Sequence, residues 1–116
     1  LQYPELAGSV SWESDVKKAV RDADAVIALR LQKERMDDAL LPSMREYRNF
    51  FGITEEVLGC CKDKVIIMHP GPINRGVELD SDIADGEHSV ILDQVTNGVA
   101  VRMAVLFLLA GGRNND

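Results

Sequence analysis

Two short runs of apolar residues, each followed at once by polar residues, stand out along this chain. The first spans residues 25–29 and leads into Arg30, and the second spans residues 65–68 and stops at His69. Short runs rich in Val and Ile are typical of strands buried on both faces of a parallel sheet. Open α/β sheets bind ligands just beyond the carboxyl ends of their strands, so the polar residues after each run are candidates for a site.

Helical signals surround the two predicted strands. Val16, Ala19 and Val20 recur at helical spacing, and Ser43 with Glu46 has the pattern of a capping box. An edge strand is predicted at Val10–Trp12, with helices over residues 14–21, 43–52 and from Thr54, and one long helix from Ser89 to Ala110. Residues 1–9 are predicted to be irregular or the end of a truncated helix, and residues 36–42 and 76–87 to be irregular. This order of elements predicts an α/β fold in which helices flank a parallel sheet.

The last predicted helix is apolar on nearly all sides between Val99 and Leu109. A helix of this kind must be buried on more than one side, and the preceding elements offer too little cover. Two arrangements fit this pattern: a central helix of this domain, or a helix that packs on a second domain missing from the chain. The chain also begins at Leu1 without an initiator methionine. We therefore expect a fragment of a larger polypeptide.

Composition places the chain among ordinary soluble globular domains, with 46% hydrophobic and 28% charged residues. The net charge is −6, and there is no basic stripe with interleaved aromatic residues, which argues against nucleic-acid binding. The acids cluster between Glu78 and Asp93, and we expect them to form a solvated face. Cys60 and Cys61 are adjacent with no other cysteine to pair with, so a cytoplasmic location fits best.

Several classes of site are excluded by length, residue type or spacing. The most apolar segment, residues 103–110, is far shorter than the roughly 20 residues that cross a bilayer, so we expect no membrane contact. Gly71 to Gly76 has the spacing of a phosphate loop, but Val77 stands where lysine is required. The acids, histidines and cysteines also miss the spacings of calcium and zinc sites. We therefore expect no metal and no covalent catalysis.

Arg30 and Gln32 form the first candidate pair for ligand binding. Side chains two positions apart in an extended segment face the same way, so that a guanidinium and an amide can address one ligand. A guanidinium binds a carboxylate through two parallel hydrogen bonds. Glu34 and Arg35 would hold Arg30 in place. The competing interpretation is a surface cluster of ion pairs, which contributes little energy.

The second candidate is a turn formed by His69, Pro70, Gly71 and Pro72. Proline lacks an N–H and fixes φ, so this turn is stiff and holds its carbonyl groups in one orientation beside Arg75. We expect the Gly71–Pro72 peptide bond to be cis, because only bonds before proline adopt cis at small cost. We also expect the turn to lie beside Arg30 and Gln32, at the same edge of the sheet.

Three motifs together resemble the aspartate carbamoyltransferase family. They are LRLQKER from Leu29, HPGPINRG from His69 and QVTNGVAVRM from Gln94, and they occur in the order and at the spacing of that family. The resemblance covers essentially the whole chain, but only the later part of the family's second, aspartate-binding domain. Relatives that act on ornithine carry a His-Cys-Leu-Pro turn instead, and Pro70 argues against them.

The resemblance implies transfer of a carbamoyl group from carbamoyl phosphate to the amino group of L-aspartate, without a cofactor, in de novo pyrimidine biosynthesis. It assigns Arg30 and Gln32 to the side-chain carboxylate of aspartate. It assigns Pro70 and Gly71, with Pro72 fixing the turn, to the amine of carbamoyl phosphate. No residue of this chain is assigned as catalytic. The supporting residues are Glu34, Arg35, His69 and Arg75.

The resemblance also implies partners and limits. Residues 1–116 correspond to part of the aspartate-binding domain, and the carbamoyl-phosphate domain with its phosphate-binding motif lies outside them, so the chain alone is expected to be inactive. A homotrimer with active sites shared between subunits is expected, with a regulatory chain or a dihydroorotase as a further partner. The alternatives are a non-catalytic assembly module and a carbamoyltransferase for another amino acid.

Overall fold

The computed structural model describes residues 8–32 and 43–111 of the 116-residue chain. Within these ranges lie five helices and two strands. In chain order they are α1 (Val16–Ala19), β1 (Ala25–Ile27), α2 (Met44–Phe51), α3 (Glu55–Leu58), β2 (Ile66–Met68), α4 (Ser81–Ala84) and α5 (Ile91–Gly111). The predicted α/β class is confirmed. The irregular segments predicted at residues 1–9 and 36–42 fall largely or wholly outside the described residues.

The two strands pair in parallel, as predicted. Ala25 lies opposite Ile66, and Ile27 lies opposite Met68. The pairing continues beyond β1, where the N–H of Ala28 donates to the carbonyl of Met68 at 3.0 Å. Parallel strands require a long crossover connection, and α2 and α3 lie within it. The polar segments that follow the two strands are therefore neighbours at one edge of the sheet.

The sheet is covered on only one face within the part of the chain that the structure describes. Ile67 is 0% exposed, whereas Ile66 is 39% exposed and Ile27 is 57% exposed. The prediction that both strands are buried on both faces is therefore wrong. Successive side chains of a strand point to opposite faces, and the core lies against one of them. The buried core consists of Val20, Ala28, Ile53, Val57, Val65, Ile67, Leu79, Ile83, Ala84 and Ile91.

Helix beginnings follow the capping signals of the sequence. The hydroxyl of Ser43 accepts a hydrogen bond from the N–H of Glu46, and the Glu46 carboxylate accepts one from the N–H of Ser43 at 3.0 Å. The predicted capping box is thus confirmed. The hydroxyl of Thr54 caps α3 in a similar way. Helix α1 is shorter than predicted, because the Asp15 side chain already caps it.

The predicted edge strand at Val10–Trp12 is wrong. These residues form no strand, and the Trp12 side chain is 91% exposed. A strand needs a neighbour for its backbone groups, and an apolar pattern of three residues does not supply one.

The segment predicted as an irregular and solvated acidic face is partly buried. The N–H of Ile53 donates to the carbonyl of Glu78 at 3.0 Å, and the N–H of Asp80 donates to the carbonyl of Ile53 at 3.1 Å. Glu78 is 2% exposed and Leu79 is fully buried. The prediction of irregular structure is therefore wrong for α4, and the prediction of a solvated face is wrong for Glu78. Solvation is confirmed for the exposed acids Asp82, Asp85 and Glu87.

Helix α5 confirms the predicted length of the last helix but leaves most of it uncovered. Ile91 is buried, whereas apolar side chains further along, such as Phe107 at 76%, are largely exposed. With 21 residues and a mean hydropathy of 1.4, the helix is long and apolar enough to cross a membrane. A membrane-spanning segment was excluded above on the length of residues 103–110 alone. Core helices of soluble proteins have the same length and composition.

Candidate functional site at the strand ends

One hydrogen bond joins the segment after β1 to the loop after β2. The side-chain amide of Asn74 donates to the carbonyl of Leu31 at 3.0 Å. Leu31 is flanked by Arg30, which is partly buried, and by Gln32, which is exposed. The segment that carries Arg30 and Gln32 therefore lies at the same edge of the sheet as the turn, as expected from the parallel order of the strands.

The turn after β2 has the predicted backbone geometry. The Gly71–Pro72 peptide bond is cis, which confirms the prediction. Gly71 has a φ of 66°, in the left-handed region that side chains with a Cβ rarely adopt. Pro70, Gly71 and Pro72 are all at least partly exposed, so a ligand can approach their backbone. The turn is thus accessible to a ligand, and its backbone carbonyl groups are hydrogen-bond acceptors.

His69 lies beneath the turn and is completely buried. Its Nδ1 atom lies 2.8 Å from the N–H of Gly71 and accepts that hydrogen bond. Its Nε2 atom lies 3.1 Å from Oε1 of Glu78. Its own backbone N–H donates to the side-chain oxygen of Gln94 in α5 at 3.0 Å. His69 therefore connects the turn, a buried carboxylate and the last helix.

Glu78 is, with Asn74 and Gln94, a residue of this region that the sequence did not mark as part of the site. Besides its contact with His69, its Oε1 atom accepts a hydrogen bond from the N–H of Asn74 at 2.6 Å. Burial raises the pKa of the nearby Tyr47 hydroxyl, and the charge of Glu78 adds to that effect. In the sequence Glu78 opens a run of acids, and nothing local separates it from its exposed neighbours. The sequence feature that could have pointed to Glu78 is His69 at the end of β2, because the N–H of a buried imidazole needs a hydrogen-bond acceptor.

Arg75 does not face the turn but pairs with Asp85. Its guanidinium makes two hydrogen bonds to that carboxylate, at 2.7 and 2.9 Å. The Arg75 hydrogen bond holds the pKa of Asp85 below its usual range, and the same contact raises the pKa of Arg75. Both side chains are exposed. The two other supporting residues, Glu34 and Arg35, lie outside the described residues.

The arrangement can bind an anion and an amide group side by side. Arg30 supplies a guanidinium and Gln32 an amide donor. The turn, at the same sheet edge, supplies carbonyl acceptors. Within residues 8–32 and 43–111, no group of three histidine, cysteine or acidic side chains could hold a metal ion. The chemistry available here is recognition and orientation of a polar substrate.

A second concave region lies away from the strand ends. It is a cleft of about 530 Å³ lined in part by Lys17, Arg48, Glu56 and Asp80. Its charges form pairs: Lys17 contacts Glu56, and the Arg48 guanidinium makes two hydrogen bonds to Asp80, at 2.9 and 2.6 Å. These ion pairs occupy the charged groups that a ligand of this cleft would need.

The chain matches a known family along most of its length. The sequence model described as "Aspartate/ornithine carbamoyltransferase, Asp/Orn binding domain" matches residues 2–109. The chain is 63% identical over 102 residues to the aspartate carbamoyltransferase catalytic subunit of Desulfotalea psychrophila, covering 88% of this chain and 32% of that subunit. It is 62% identical over 98 residues to the same subunit of Gemmatimonas aurantiaca, covering 84% and 31%.

Solved structures share the fold. The ornithine carbamoyltransferase of Pyrococcus furiosus superposes with a TM-score of 0.71 and 30% identity, over 84% of this chain and 31% of that one. The enzyme of Burkholderia thailandensis gives a TM-score of 0.75 at 22% identity, over 92% and 32%, which is a likeness of fold alone. The parallel strand pair thus corresponds to part of a Rossmann-like sheet. The chain spans about a third of the length of the curated relatives it matches.

Proposed function

Since the chain belongs to the aspartate/ornithine carbamoyltransferase family, we propose that it is the later part of the aspartate-binding domain of an aspartate carbamoyltransferase. In the reaction, the amino nitrogen of L-aspartate attacks the carbonyl carbon of carbamoyl phosphate. The bond from that carbon to the phosphate oxygen breaks, and the nitrogen loses a proton. The products are N-carbamoyl-L-aspartate and inorganic phosphate, on the route to UMP.

The observation that carries the proposal is the hydrogen bond between Asn74 and Leu31. It joins the segment of Arg30 and Gln32 to the loop of the turn. A transfer reaction between two substrates needs both of them held in contact with fixed orientation, which is the main source of rate in reactions of this type. Two binding elements at one sheet edge, tied together by a direct bond, meet that need.

Each element has a role that fits its chemistry. Arg30 and Gln32 bind the side-chain carboxylate of aspartate through charge-assisted hydrogen bonds. The carbonyl groups of Pro70 and Gly71 accept hydrogen bonds from the amine of carbamoyl phosphate, and Pro72 fixes the turn. The carbamoyl-phosphate domain, outside this chain, binds the phosphate and stabilises the charge of the tetrahedral intermediate. No cofactor takes part.

Charge favours aspartate over ornithine as the acceptor. The side chain of aspartate ends in a carboxylate, whereas that of ornithine ends in an ammonium group. The guanidinium of Arg30 can pair with the side-chain carboxylate of aspartate, a group that ornithine lacks. Both curated relatives described above are aspartate carbamoyltransferase subunits, which supports the same choice. A carbamoyltransferase for another amino acid and a non-catalytic assembly module are the alternatives.

Assembly and location belong to the same proposal. The complete protein is a cytoplasmic homotrimer whose active sites lie between subunits, with a regulatory chain or a dihydroorotase as a further partner. Helix α5 packs on the carbamoyl-phosphate domain of its own polypeptide. The exposed apolar side chains of α5 support this packing, because contiguous apolar surface of this kind marks a covered face.

The test is an Arg30→Ala substitution in the full-length polypeptide that contains this chain. We expect kcat/KM for aspartate to fall about a hundredfold, because a charge-assisted bidentate contact to a carboxylate contributes roughly 2–4 kcal/mol. The KM for carbamoyl phosphate should change little. Steady-state kinetics with each substrate varied in turn measure both quantities.

The matched control is Arg21→Ala. Arg21 is exposed and precedes β1, so it lies at the opposite, amino-terminal end of the same strand. Its removal changes the net charge equally and should leave the response to aspartate unaltered. Equal effects of the two substitutions would reject the role proposed for Arg30.

A further inference from the structure

A continuous path of hydrogen bonds runs through the interior between the two halves of the site. Its members are Gly71, His69, Glu78, Asn74 and Leu31. We propose that His69 and Glu78 are positioning residues, which hold the turn at a fixed place relative to Arg30. The inference rests on the proposed function and adds to it a role for a buried carboxylate.

The direction of each hydrogen bond follows from the backbone. The N–H of Gly71 can only donate, so Nδ1 of His69, 2.8 Å away, accepts with its lone pair. The ring proton therefore lies on Nε2 and is donated to Oε1 of Glu78 at 3.1 Å. The opposite tautomer would set the Nδ1–H of His69 against the N–H of Gly71 and would release the turn.

Glu78 anchors the second half of the path. Its Oε1 atom also accepts from the N–H of Asn74 at 2.6 Å, and the side chain of Asn74 holds Leu31. Oε2 is buried and accepts no hydrogen bond from the described residues. A buried carboxylate is costly, and an apolar residue would fill the space with less loss. The carboxylate therefore suits a geometric role better than a packing role, because it fixes one tautomer and one loop.

The hydrogen-bond path affects the substrate only by holding the turn in position. His69 is fully buried, whereas Pro70 and Gly71 are accessible. A substrate thus contacts the carbonyl groups and not the imidazole. A misplacement of about 1 Å in a positioning group can cost about a hundredfold in rate. Loss of the Gly71 contact should therefore lower kcat without unfolding the domain.

The first test reads the tautomer directly in the full-length polypeptide, where the signals of His69 and His88 are assigned by their loss in His69→Asn and His88→Asn. These are the two histidines of residues 1–116, and His88 provides an internal reference. Nδ1 of His88 lies 2.9 Å from the carbonyl oxygen of Val65, so its proton must lie on Nδ1. Long-range ¹H–¹⁵N NMR spectra at a pH of about 8, where an ordinary imidazole is neutral, should show opposite tautomers, with Nε2–H for His69. An Nδ1–H signal for His69, or a mixture, would overturn the proposal.

The second test uses two amide variants of the full-length polypeptide. In His69→Asn the side-chain oxygen takes the place of Nδ1 and still accepts from Gly71. In His69→Gln the side-chain nitrogen takes the place of Nε2 and still donates to Glu78, but the acceptor for Gly71 is lost. We expect kcat of the first variant to fall by up to about tenfold, because the turn keeps its acceptor but loses its link to Glu78. The kcat of the second should fall about a hundredfold, because the turn itself is released.

Thermal melting separates a positioning role from a structural one. Both variants lose one of two buried hydrogen bonds, so their melting temperatures should fall by similar amounts. Activity that simply follows the melting temperature in both variants would overturn the positioning role. If the original protein transferred no carbamoyl group at all, the proposed function would fail, and the NMR spectra would still report whether the hydrogen-bond path exists.

Discussion

Glu78 and Asp85 belong to the same acidic segment, yet their surroundings give them different roles. Glu78 is buried against His69, whereas Asp85 is exposed and pairs with Arg75. A surface pair of this kind contributes little to stability, because water screens both charges. A buried carboxylate, by contrast, fixes the positions of its donors. Burial therefore decides which of these acids shapes the site.

Replacement of Asp85 should have an effect that depends on pH. Its pKa is lowered from 3.8 in the folded chain by the Arg75 hydrogen bond. The stability that it contributes is therefore present above that ordinary value and is lost as the pH falls through the lowered pKa. We expect Asp85→Asn to lower the melting temperature slightly at neutral pH, and the difference should shrink as the pH falls below 3.8 and through the lowered pKa. Asp63→Asn, at an exposed position before β2, is the control. A difference that stays constant as the pH falls would contradict the pairing.

At the scale of elements, α5 differs most from an ordinary helix of a closed domain. Leu106 is 67% exposed and Phe107 is 76% exposed. Full burial of such side chains contributes about 1.5–3 kcal/mol each, so a face of this composition gains stability only when it is covered. Under the proposed function, that cover is the carbamoyl-phosphate domain of the same polypeptide.

Substitutions in α5 should therefore act differently in the chain and in the full-length polypeptide. Leu106→Ser and Phe107→Ser remove side chains that are exposed in the 116-residue chain, so they should change its unfolding free energy little. In the full-length polypeptide each substitution should lower the unfolding free energy by about 2 kcal/mol or more. Asn97→Ser, at an exposed polar position of α5, is the matched control. Equal effects in both proteins, measured by urea unfolding, would contradict the assigned cover.

The positions of strands and helix starts were predicted from the sequence more accurately than the burial of their side chains. The apolar runs located β1 and β2, and Ser43 with Glu46 located the start of α2, because strand patterns and caps depend on local residues. The exposure of Ile66 could not be predicted, since an apolar run does not tell whether its cover lies within the same chain. The burial of Glu78 was missed because its partner, His69, is brought to it only by the fold.

At the scale of the whole molecule, the proposed function gives the strand ends only part of a carbamoyl-transfer site. Under that proposal they bind the amino acid and orient the carbamoyl group. The chain corresponds to about a third of the length of its relatives. Under the proposed function, the phosphate of carbamoyl phosphate is bound by the remaining part. Recognition of aspartate and chemistry are thereby divided between two domains.

Selection of aspartate as the acceptor of a carbamoyl group is the property on which the proposed function depends most. It can be measured as carbamoyl transfer from ¹⁴C-labelled carbamoyl phosphate to aspartate and, in parallel, to ornithine. We predict that the full-length polypeptide forms labelled N-carbamoyl-aspartate, that ornithine is a far poorer acceptor, and that residues 1–116 alone form neither product. Preferential transfer to ornithine, no transfer by the full-length polypeptide, or steady turnover by residues 1–116 alone would contradict it.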